Sequence, residues 1–253
     1  MQITFLGTGT SQGVPVIACD CKICRSIDYR DKRLRSSIHI QHKNTSVIID
    51  SGPDFRQQVL RERINKLDAL IFTHAHKDHT AGMDDVRGFN FSQDKAVPVY
   101  GTLEVLNQIK QEFEYVFNNS KYPGIPKIDL VEIDNKPFTV GDITLIPILV
   151  KHHKMPVFGF RVGDFTYITD ANFIPEEEMK KIYGSKIIVL NALRKEKHIS
   201  HYTLEEAVEV LKILKPERAY LTHISHQLGL HEEVEKELPE FVRLGYDGLR
   251  VDA

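Results

Sequence analysis

The stretch that most constrains this chain is residues 67–79, LDALIFTHAHKDH, in which a short apolar run leads into three histidines and an aspartate. Residues 69–72 are flanked by polar residues and are too few for a helix, so they are predicted to form a buried strand. In extended chain, side chains two residues apart leave on the same side. His74 and His76 would therefore point together, and Asp78 and His79 would follow where the chain turns into a helix.

This density of imidazole and carboxylate groups indicates a metal site, whereas a polar turn would need no such spacing. Four ligands this close do not all fit one ion. We expect His74 and His76 to bind one ion, and Asp78 and His79 to bind a second ion roughly 3.5–4 Å away. Each ion would then need further ligands from elsewhere in the chain.

Three later apolar runs also end in residues of ligand type. His152 and His153 follow one such run, Asp170 follows the next, and His223 follows the last. An imidazole or charge left unpaired after a buried run is costly, and binding a metal removes that cost. Periodicity alone does not separate His152 from His153.

Two complete ligand shells follow from these residues. The expected ligands are His74, His76 and His152 for one ion, and Asp78, His79 and His223 for the other, with Asp170 reaching both. Two dications, two carboxylates and a bridging hydroxide leave a charge of about +1, which would attract a phosphate diester. Asp50, at another strand end, is expected to accept a ring N–H from a ligand histidine. Its alternative role is to cap a helix.

The remaining pattern indicates how the elements are arranged in a chain of 253 residues. The predicted strands cover residues 2–6, 36–41, 45–49, 69–72, 97–100, 130–133, 143–151, 157–162, 165–169, 187–190 and 219–222. The predicted helices cover residues 54–63, 79–87, 103–113, 176–182, 204–214 and 232–237. The strands come in two groups, each followed by helices, with no linker between them. This order predicts one α/β domain spanning residues 1–253, with two mixed sheets face to face and helices outside.

Three cysteines form a second cluster at Cys19, Cys21 and Cys24. An odd set within six residues gives no disulfide framework. The spacing is that of metal-binding thiolates, and a structural zinc would require a fourth ligand. The alternative is three reduced thiols without a metal.

Two irregular segments leave their roles open. Residues 7–15 expose backbone N–H groups and hydroxyls and could border an anion site, or form a plain turn. Residues 115–126 are rich in aromatic residues and proline, which suits a lid, a subunit contact, or a satellite cluster under a loop.

At this point the chain resembles the metallo-beta-lactamase superfamily, through the HxHxDH motif at residues 74–79 and the later His, Asp and His in the family's order. Within it, the chain is similar to phosphodiesterases of the phosphoribosyl cyclic phosphate type. That likeness rests on FLGTGTSQGVP, CDCKIC, GMDDVRGF, HHKMPVFGFRVG and a histidine three residues after the last ligand. The resemblance implies an αββα sandwich with a dinuclear site at one edge, and it selects His152 as the ligand of its pair.

The resemblance also implies residue roles outside the ligand set. His226 would complete a structural zinc site with Cys19, Cys21 and Cys24. His201 would contact the phosphate and protonate the leaving oxygen, which makes His201, Asp78 and Asp170 the expected catalytic residues. Thr203 and Glu206 near it are typical of a capping box, and His198 is expected to be solvated.

These features together predict a dinuclear phosphodiesterase with zinc or manganese in the active site and one structural zinc. The expected substrate is a small phosphate ester, including a cyclic ribose phosphate. We expect a cytoplasmic protein without nucleic-acid or membrane partners, because the net charge is −2 and no long apolar run is present. The aromatic segment at residues 115–126 and the resemblance together imply a homodimer. The alternatives are a transfer-RNA 3′-end endonuclease, a thioester or lactone hydrolase, and a carrier protein like the member from pyrroloquinoline quinone biosynthesis.

Overall fold

The computed structural model describes residues 1–118, 122 and 124–253. Within them the chain forms two mixed sheets of seven strands each. The first sheet contains β1 (Gln2–Gly7), β2 (Ser37–His42), β3 (Thr45–Ile49), β4 (Ala69–Ile71), β5 (Val97–Gly101), β6 (Ile128–Glu132) and β14 (Arg250–Asp252). The second sheet contains β7 (Phe138–Val140), β8 (Ile143–His152), β9 (Met155–Val162), β10 (Phe165–Ile168), β11 (Ile187–Asn191), β12 (Arg218–Thr222) and β13 (Val242–Leu244).

Helices cover the outer faces of both sheets. They are α1 (Phe55–Glu62), α2 (Lys77–Thr80), α3 (Arg87–Gln93), α4 (Leu103–Glu112), α5 (Glu114–Phe117), α6 (Glu176–Ile182), α7 (Leu204–Leu214) and α8 (His231–Glu235). The capping box predicted at Thr203 and Glu206 is present and begins α7. No helix among the described residues combines the length and the apolar character needed to cross a bilayer.

Three apolar clusters hold the four layers together. The cluster between the sheets takes residues from both, including Ile71 and Phe160. A second cluster packs α1, α3 and α4 on the first sheet, and a third packs α6, α7 and α8 on the second. Burial of each such isoleucine or phenylalanine side chain stabilises the folded state by roughly 1.5–3 kcal/mol relative to leaving it exposed. The predicted αββα sandwich of two mixed sheets is confirmed.

Strand direction decides where the functional residues meet. In the first sheet β3, β4, β5 and β6 run parallel, and in the second sheet β10, β11, β12 and β13 do so. The carboxyl ends of β3, β4, β10 and β12 lie at one edge of the sandwich, where a crevice forms beyond the strands. The two sheets are linked there, because Ile224 N donates to Thr8 O at 2.9 Å and Phe158 N donates to Thr73 O at 3.1 Å.

The prediction of a single helix over residues 79–87 is wrong. The chain instead forms the short helix α2, a 3₁₀ turn at Met83–Val86, and then α3. The reason is a long-range contact: a Cβ on Gly52 would collide with the Asp78 carbonyl oxygen, and Gly82 N donates to Ser51 O at 2.8 Å. The loop after β3 therefore breaks the helix at this point.

Three short strands, β7, β13 and β14, were not predicted from the sequence. Each has three residues and lies at or next to a sheet edge. The segment predicted as a lid or contact, residues 115–126, includes residues 119–121 and 123, which lie outside the described residues.

Candidate metal centres

Several residues of the expected active site follow the ends of strands, while Asp78 and His79 lie on the short helix α2 and His201 lies in the loop before α7. Asp50 follows β3, Asp170 follows β10 after one residue, and His223 follows β12 directly. All three have left-handed backbone, with φ of 65°, 53° and 56°. Such conformations are uncommon outside glycine and cluster at functional sites. Here they turn each side chain from the strand into the crevice.

Asp50 supports His79 on the side of the ring that faces away from the crevice. This fully buried carboxylate accepts a hydrogen bond from His79 Nδ1 at 2.7 Å. It also accepts from Thr73 N at 2.9 Å and from Thr73 Oγ1 at 2.9 Å. The structure therefore places Asp50 behind a ligand-type histidine, as the sequence predicted. Burial raises the pKa of Asp50, while His79 and the Thr73 donors oppose that rise.

Thr73 extends this support to a second histidine. Its hydroxyl hydrogen goes to Asp50, so its oxygen accepts from His74 Nδ1 at 2.9 Å. These partners select the tautomers of His74 and His79 that carry the hydrogen on Nδ1. Both rings consequently present an Nε2 lone pair to the crevice. Both Nε2 atoms are buried and have no hydrogen-bond partner.

Asp170 lies at the centre of the cluster. Its Oδ1 is 3.3 Å from His79 Nε2 and 3.1 Å from His223 Nδ1, and its Oδ2 is 3.8 Å from His74 Nε2. Burial disfavours its charge, but His223, His79 and His74 outweigh burial and hold the pKa of Asp170 well below its usual range. A carboxylate thus faces two nitrogen lone pairs across short gaps. With both rings neutral this arrangement is repulsive, and a proton on His79 or a cation bound between the groups would relieve the repulsion.

The surroundings of His79 also carry an excess of negative charge. Burial alone would lower its pKa, but Asp170, Asp50 and Asp78 together raise it well above the ordinary value. Asp78 Oδ2 is 3.1 Å from His79 Nε2. Three carboxylates around one imidazole call for a positive charge, which a proton on His79 or a bound dication would supply. Neutral imidazole and ionised carboxylate are the forms that bind metals.

The ligand-type atoms fall into three overlapping groups that share Asp170, and within each group they lie within 4.8 Å of one another. The groups are Asp78, His79, Asp170 and His223; His74, His76 and Asp170; and His152, Asp170 and His201. The first group contains every member of one predicted shell, and the second contains His74, His76 and Asp170 of the other predicted shell but not His152. The third differs, because His152 groups with His201 and not with His74 and His76.

His152, and not His153, lies in the crevice. The His152 ring is buried, and Ser200 O accepts from its Nδ1 at 2.9 Å. Its centroid is 5.2 Å from that of His76 and 5.9 Å from that of His74. His153 is exposed with φ of 56°, and its backbone N–H donates to Asn172 Oδ1 at 2.7 Å. The turn after β8 therefore directs it away from the site.

His201 lies beside these groups, stacked on His223 with ring centroids 4.7 Å apart and 4.5 Å from His152. It is buried, and its Nδ1 has no hydrogen-bond partner. Burial and the neighbouring His223 lower the pKa of His201 to about 3, so the ring is neutral. His198, expected to be solvated, is instead half-buried, with its ring centroid 5.2 Å from that of His201.

Divalent metal ions fit the donor set of this edge. Imidazole nitrogens and carboxylate oxygens converge, buried Nε2 atoms lack partners, and Thr73 and Asp50 fix the ring orientations from behind. His76 is exposed and Asp78 half-buried, so the crevice opens to solvent on their side. Such a partly open site is typical of catalytic metals.

The cysteine cluster forms a second, separate donor set. His226 Nδ1 is 3.3 Å from Cys19 Sγ, 3.4 Å from Cys21 Sγ and 3.5 Å from Cys24 Sγ. A zinc tetrahedron with Zn–S of about 2.3 Å and Zn–N of about 2.0 Å has S–N edges of roughly 3.5 Å. The three thiols and the imidazole therefore have the spacing of a closed zinc site, with no position left for a substrate.

The thiols of this cluster differ in their environments. The backbone N–H of Cys24 donates to Cys21 Sγ and, with contacts to the neighbouring ligands, lowers the pKa of Cys21 to about 6. Burial raises the pKa of Cys24 to about 11. A bound cation would bring such a mixed set to the thiolate form.

Several residues around the first site were not singled out from the sequence. Thr73 and Ser200 orient His74 and His152, while Ser36 Oγ and Thr10 Oγ1 each lie 3.3 Å from a ring nitrogen of His223. Hydroxyl groups and backbone carbonyls occur everywhere in a sequence, so no pattern marks them. Thr10 could have been suspected, because it belongs to the polar loop over residues 7–15.

The fold and the donor sets define a protein of the metallo-beta-lactamase fold with candidate metal sites. Residues 45–224 match the family model of the beta-lactamase superfamily domain. The chain belongs to this superfamily.

Two similar proteins are 38% identical to this chain. One is a Porphyromonas gingivalis protein named octanoyltransferase, matched over 252 residues that make up 98% of this chain and 51% of that protein. The chain thus spans about half the length of this relative. The other is the solved structure of a new diphosphatase from the PhnP family, with a TM-score of 0.93 over 100% of this chain and 97% of that one.

A third similar structure shares the fold alone. Zinc-bound PqqB from Methylobacterium extorquens superposes over 100% of both chains with a TM-score of 0.80 at 17% identity.

Proposed function

We propose that this chain is a phosphodiesterase with two divalent ions, zinc or manganese, in its active site. Its substrate in this proposal is a small phosphate diester, with a cyclic ribose phosphate as the first candidate. The observation that carries the proposal is the set of partnerless imidazole nitrogens facing Asp170 beside His201. The similar structure described as a diphosphatase supports chemistry at phosphorus.

The proposed metal ligands are the six residues of the first two groups and His152, which makes seven in all. Divalent ions held by them would supply Lewis acidity for the phosphoryl oxygens and a water of lowered pKa. Asp50 and Thr73 hold His79 and His74 in the required orientation and tautomer. Ser200 does the same for His152 through its carbonyl oxygen. The rigid strand ends keep this arrangement fixed before substrate binds.

His201 is the proposed contact to the leaving oxygen. Its Nδ1 has no hydrogen-bond partner, and one of its ring nitrogens lies within 4.8 Å of ligand-type atoms of His152 and Asp170. The ring is packed between His152, His198 and His223, so its position is fixed. A bound ester would bring the negative charge that this cluster of imidazoles lacks, and the ring could then hold a proton at the leaving oxygen.

We also propose a structural zinc at Cys19, Cys21, Cys24 and His226, supported by the 3.3–3.5 Å spacing of the sulfur atoms from His226 Nδ1. It would fasten the loop before β2 to the loop after β12, which carries His223. A cytoplasmic location would keep these thiols reduced for the metal. We retain the proposal of a homodimer without nucleic-acid or membrane partners, which sedimentation of the purified protein would test.

The proposal is tested with metal-free protein reloaded with zinc or manganese and assayed on bis(p-nitrophenyl) phosphate. Activity should require metal. Asp170→Ala should lower kcat/KM by more than about 100-fold, because residues that merely support a ligand already contribute 10- to 100-fold. His201→Ala should lower kcat by roughly 100- to 10,000-fold, the usual effect of a general acid.

His153→Ala is the matched control, since it removes a neighbouring histidine that points away from the crevice. It should leave activity and metal content unchanged, whereas His152→Ala should reduce both. Turnover that is independent of metal, or equal loss in both histidine variants, would overturn the proposal.

A second candidate is hydrolysis of an acyl thioester, favoured by the name of the Porphyromonas gingivalis relative. Water activated for attack at phosphorus also attacks a carbonyl carbon. This chain matches only about half of that relative, so the named transfer can reside in its other half. Turnover of an octanoyl thioester by the metal-loaded protein, without turnover of phosphate diesters, would select this candidate.

A further inference from the structure

A polar cavity of about 360 Å³ lies at the end of the first sheet that is opposite the catalytic edge. Its floor is the outer face of β1, β2 and β3, and one wall is the carboxyl end of α1 with the residues that follow it. The cavity borders the first residues of β3, whereas Asp50 follows the last one, so the length of this strand separates the cavity from the ligand-type residues around Asp170. Ligand pockets usually measure about 300–1,000 Å³, so a small metabolite fits here.

Positive charge dominates the charged part of the lining. It consists of four cations and one carboxylate, which are Lys43, Arg63, Lys66, Arg250 and Glu62. The dipole of α1 accounts for one cation near its carboxyl end, but not for four cations around one cavity. Because such a concave basic surface attracts opposite charge, an anion would accumulate here.

The four cations differ in their partners. Three of them, Lys43, Lys66 and Arg250, are exposed and have a carboxylate partner at 2.9–3.6 Å. Such exposed ion pairs are weak and can rearrange around a bound anion. Among the described residues, no carboxylate lies within 4.0 Å of the Arg63 guanidinium, and none of them forms a hydrogen bond with that group. The charge of Arg63 is therefore available to a ligand.

The floor of the cavity contains a free acceptor on His39. This residue is 8% exposed, and its Nε2 is 2.8 Å from Ser46 Oγ. Ser46 Oγ donates its hydrogen to Lys66 O at 2.6 Å, so its oxygen accepts from His39 Nε2. Burial lowers the pKa of His39 to about 4, which keeps the ring neutral with its lone pair on Nδ1. No described residue donates to this lone pair, which remains accessible from the cavity.

Thr4 adds a second free group directly beside His39. The two residues are partners in the pairing of β1 with β2, and Thr4 is 3% exposed. Within residues 1–118, 122 and 124–253, the Thr4 hydroxyl also has no hydrogen-bond partner. Buried polar groups almost always have a partner, so two such groups below four cations point to a bound polar molecule.

We propose that this cavity is a binding site for a small phosphate monoester that also carries hydroxyl groups. The phosphate group contacts Arg63 and the exposed lysines, because a guanidinium offers paired donors that match phosphate oxygens. A hydroxyl group of the ligand donates to His39 Nδ1, and the Thr4 hydroxyl bonds to a second polar atom. The cavity shares no residue with either candidate metal centre, so this inference is independent of the proposed phosphodiesterase function.

The experiment is an NMR titration of the ¹⁵N-labelled, zinc-loaded protein with glycerol 3-phosphate, methyl phosphate and glycerol. Glycerol 3-phosphate should shift the amide signals of Thr4, Asn65 and Lys66 in a saturable way. Methyl phosphate lacks the hydroxyl groups on carbon and should bind about 2- to 10-fold more weakly, the usual effect of one hydrogen bond. Glycerol lacks the phosphate and should give no saturable shift at the same concentrations.

Two variants test the two parts of the site. Arg63→Gln should weaken the binding of both phosphates by about 10- to 100-fold, because hydrogen bonds to charged groups contribute that much. Thr4→Val keeps the shape of the side chain and should bring the affinity for glycerol 3-phosphate toward that for methyl phosphate.

Arg56→Gln is the matched control. Arg56 lies two turns earlier along the same helix, has no acidic partner in the described part of the chain, and lines a different groove. This variant should keep the wild-type affinities, and equal weakening by Arg56→Gln and Arg63→Gln would show only a general attraction of anions to α1. The absence of a saturable shift with glycerol 3-phosphate, or shifts confined to residues around Asp170, would overturn the site. Equal affinities of the wild type for glycerol 3-phosphate and methyl phosphate would overturn the assigned ligand class.

Discussion

The two candidate metal centres of this molecule are built in different ways. The first takes its donors from strand ends of both sheets, mixes imidazole with carboxylate, and stays open at His76 and Asp78. The second takes its donors from two loops, uses three thiols and one imidazole, and leaves no free position. Open sites on rigid elements are typical of catalytic metals, and closed sites are typical of structural metals. The comparison indicates that the sheets of this chain position its reactive groups, whereas a bound metal would hold its loops in place.

The supporting residues sharpen the contrast. Asp50 and Thr73 lie behind the first centre in full burial and fix the tautomers of two histidines. At the second centre, the backbone N–H groups of Cys24 and Val16 donate to cysteine sulfurs. Losing support should therefore cost activity at the first centre and stability at the second.

Among changes to residues that support the two centres, the largest effect is expected from Asp50→Asn. Asparagine tolerates the left-handed backbone of this position but presents one carboxylate oxygen fewer to His79 and Thr73. Metal affinity or kcat/KM should fall about 10- to 100-fold. Titration of the metal-free variant with zinc, followed by the bis(p-nitrophenyl) phosphate assay, measures both.

Asp54→Asn is the control for this change, because Asp54 pairs with Arg35 outside the cluster. It should leave metal affinity at the wild-type value. Equal metal affinity and activity in Asp50→Asn and wild type would show that the buried carboxylate does not orient a ligand.

A smaller effect on activity and a clear effect on stability are expected from Cys21→Ser. The variant should lose one metal per chain and unfold at a lower temperature, because the two loops are no longer fastened. Activity with the first centre filled should fall less than about tenfold, below the effect of Asp50→Asn. Elemental analysis, calorimetry and the diester assay measure these quantities.

Lys22→Gln changes the next residue in the same loop, whose ion pair with Glu233 is exposed, and should keep the wild-type metal count. Complete loss of activity in Cys21→Ser, with the first centre still occupied, would contradict the division between the two centres.

The smallest effect is expected on the free energy of unfolding at low pH, through the protonation of His231. His231, the first residue of α8, accepts from Arg33 Nη2 at 3.1 Å, and burial together with Arg33 lowers the pKa of His231 to about 4. The unfolded chain takes up this proton near pH 6.5, so stability should fall as pH drops from about 6.5 to about 4. Between pH 7 and pH 5 the loss is about 2 kcal/mol.

His231→Gln keeps an acceptor for Arg33 and removes the titration. Urea unfolding at both pH values should therefore show a stability loss about 2 kcal/mol smaller in the variant than in wild type. Protonation of the cysteine ligands affects both proteins and cancels in the comparison. The same loss in both would refute the role of His231.

Much of this architecture could be predicted from the sequence, because its chemistry is concentrated in residues of ligand type. The apolar run before His74 and the polar residues that end later runs identify the strands and their functional ends. The structure brings the seven expected ligands to one edge. The two shells were separable by spacing, but the grouping of His152 with His201 depends on the turn after β8 and on Ser200 O.

The parts that could not be predicted depend on long-range contacts or on common residue types. The helix break after Thr80 arises where Gly52 packs on the Asp78 carbonyl, which no local pattern records. The strands β7, β13 and β14 are too short for a period to be visible.

Anomalous diffraction at the zinc edge from a crystal of the zinc-loaded protein tests the central claim most directly. The account predicts two peaks among the histidines and aspartates around Asp170, and one peak between Cys19, Cys21, Cys24 and His226. Peaks at only one of the two centres, or a single ion at the strand ends, would contradict the assignment of a dinuclear catalytic site supported by a separate structural zinc.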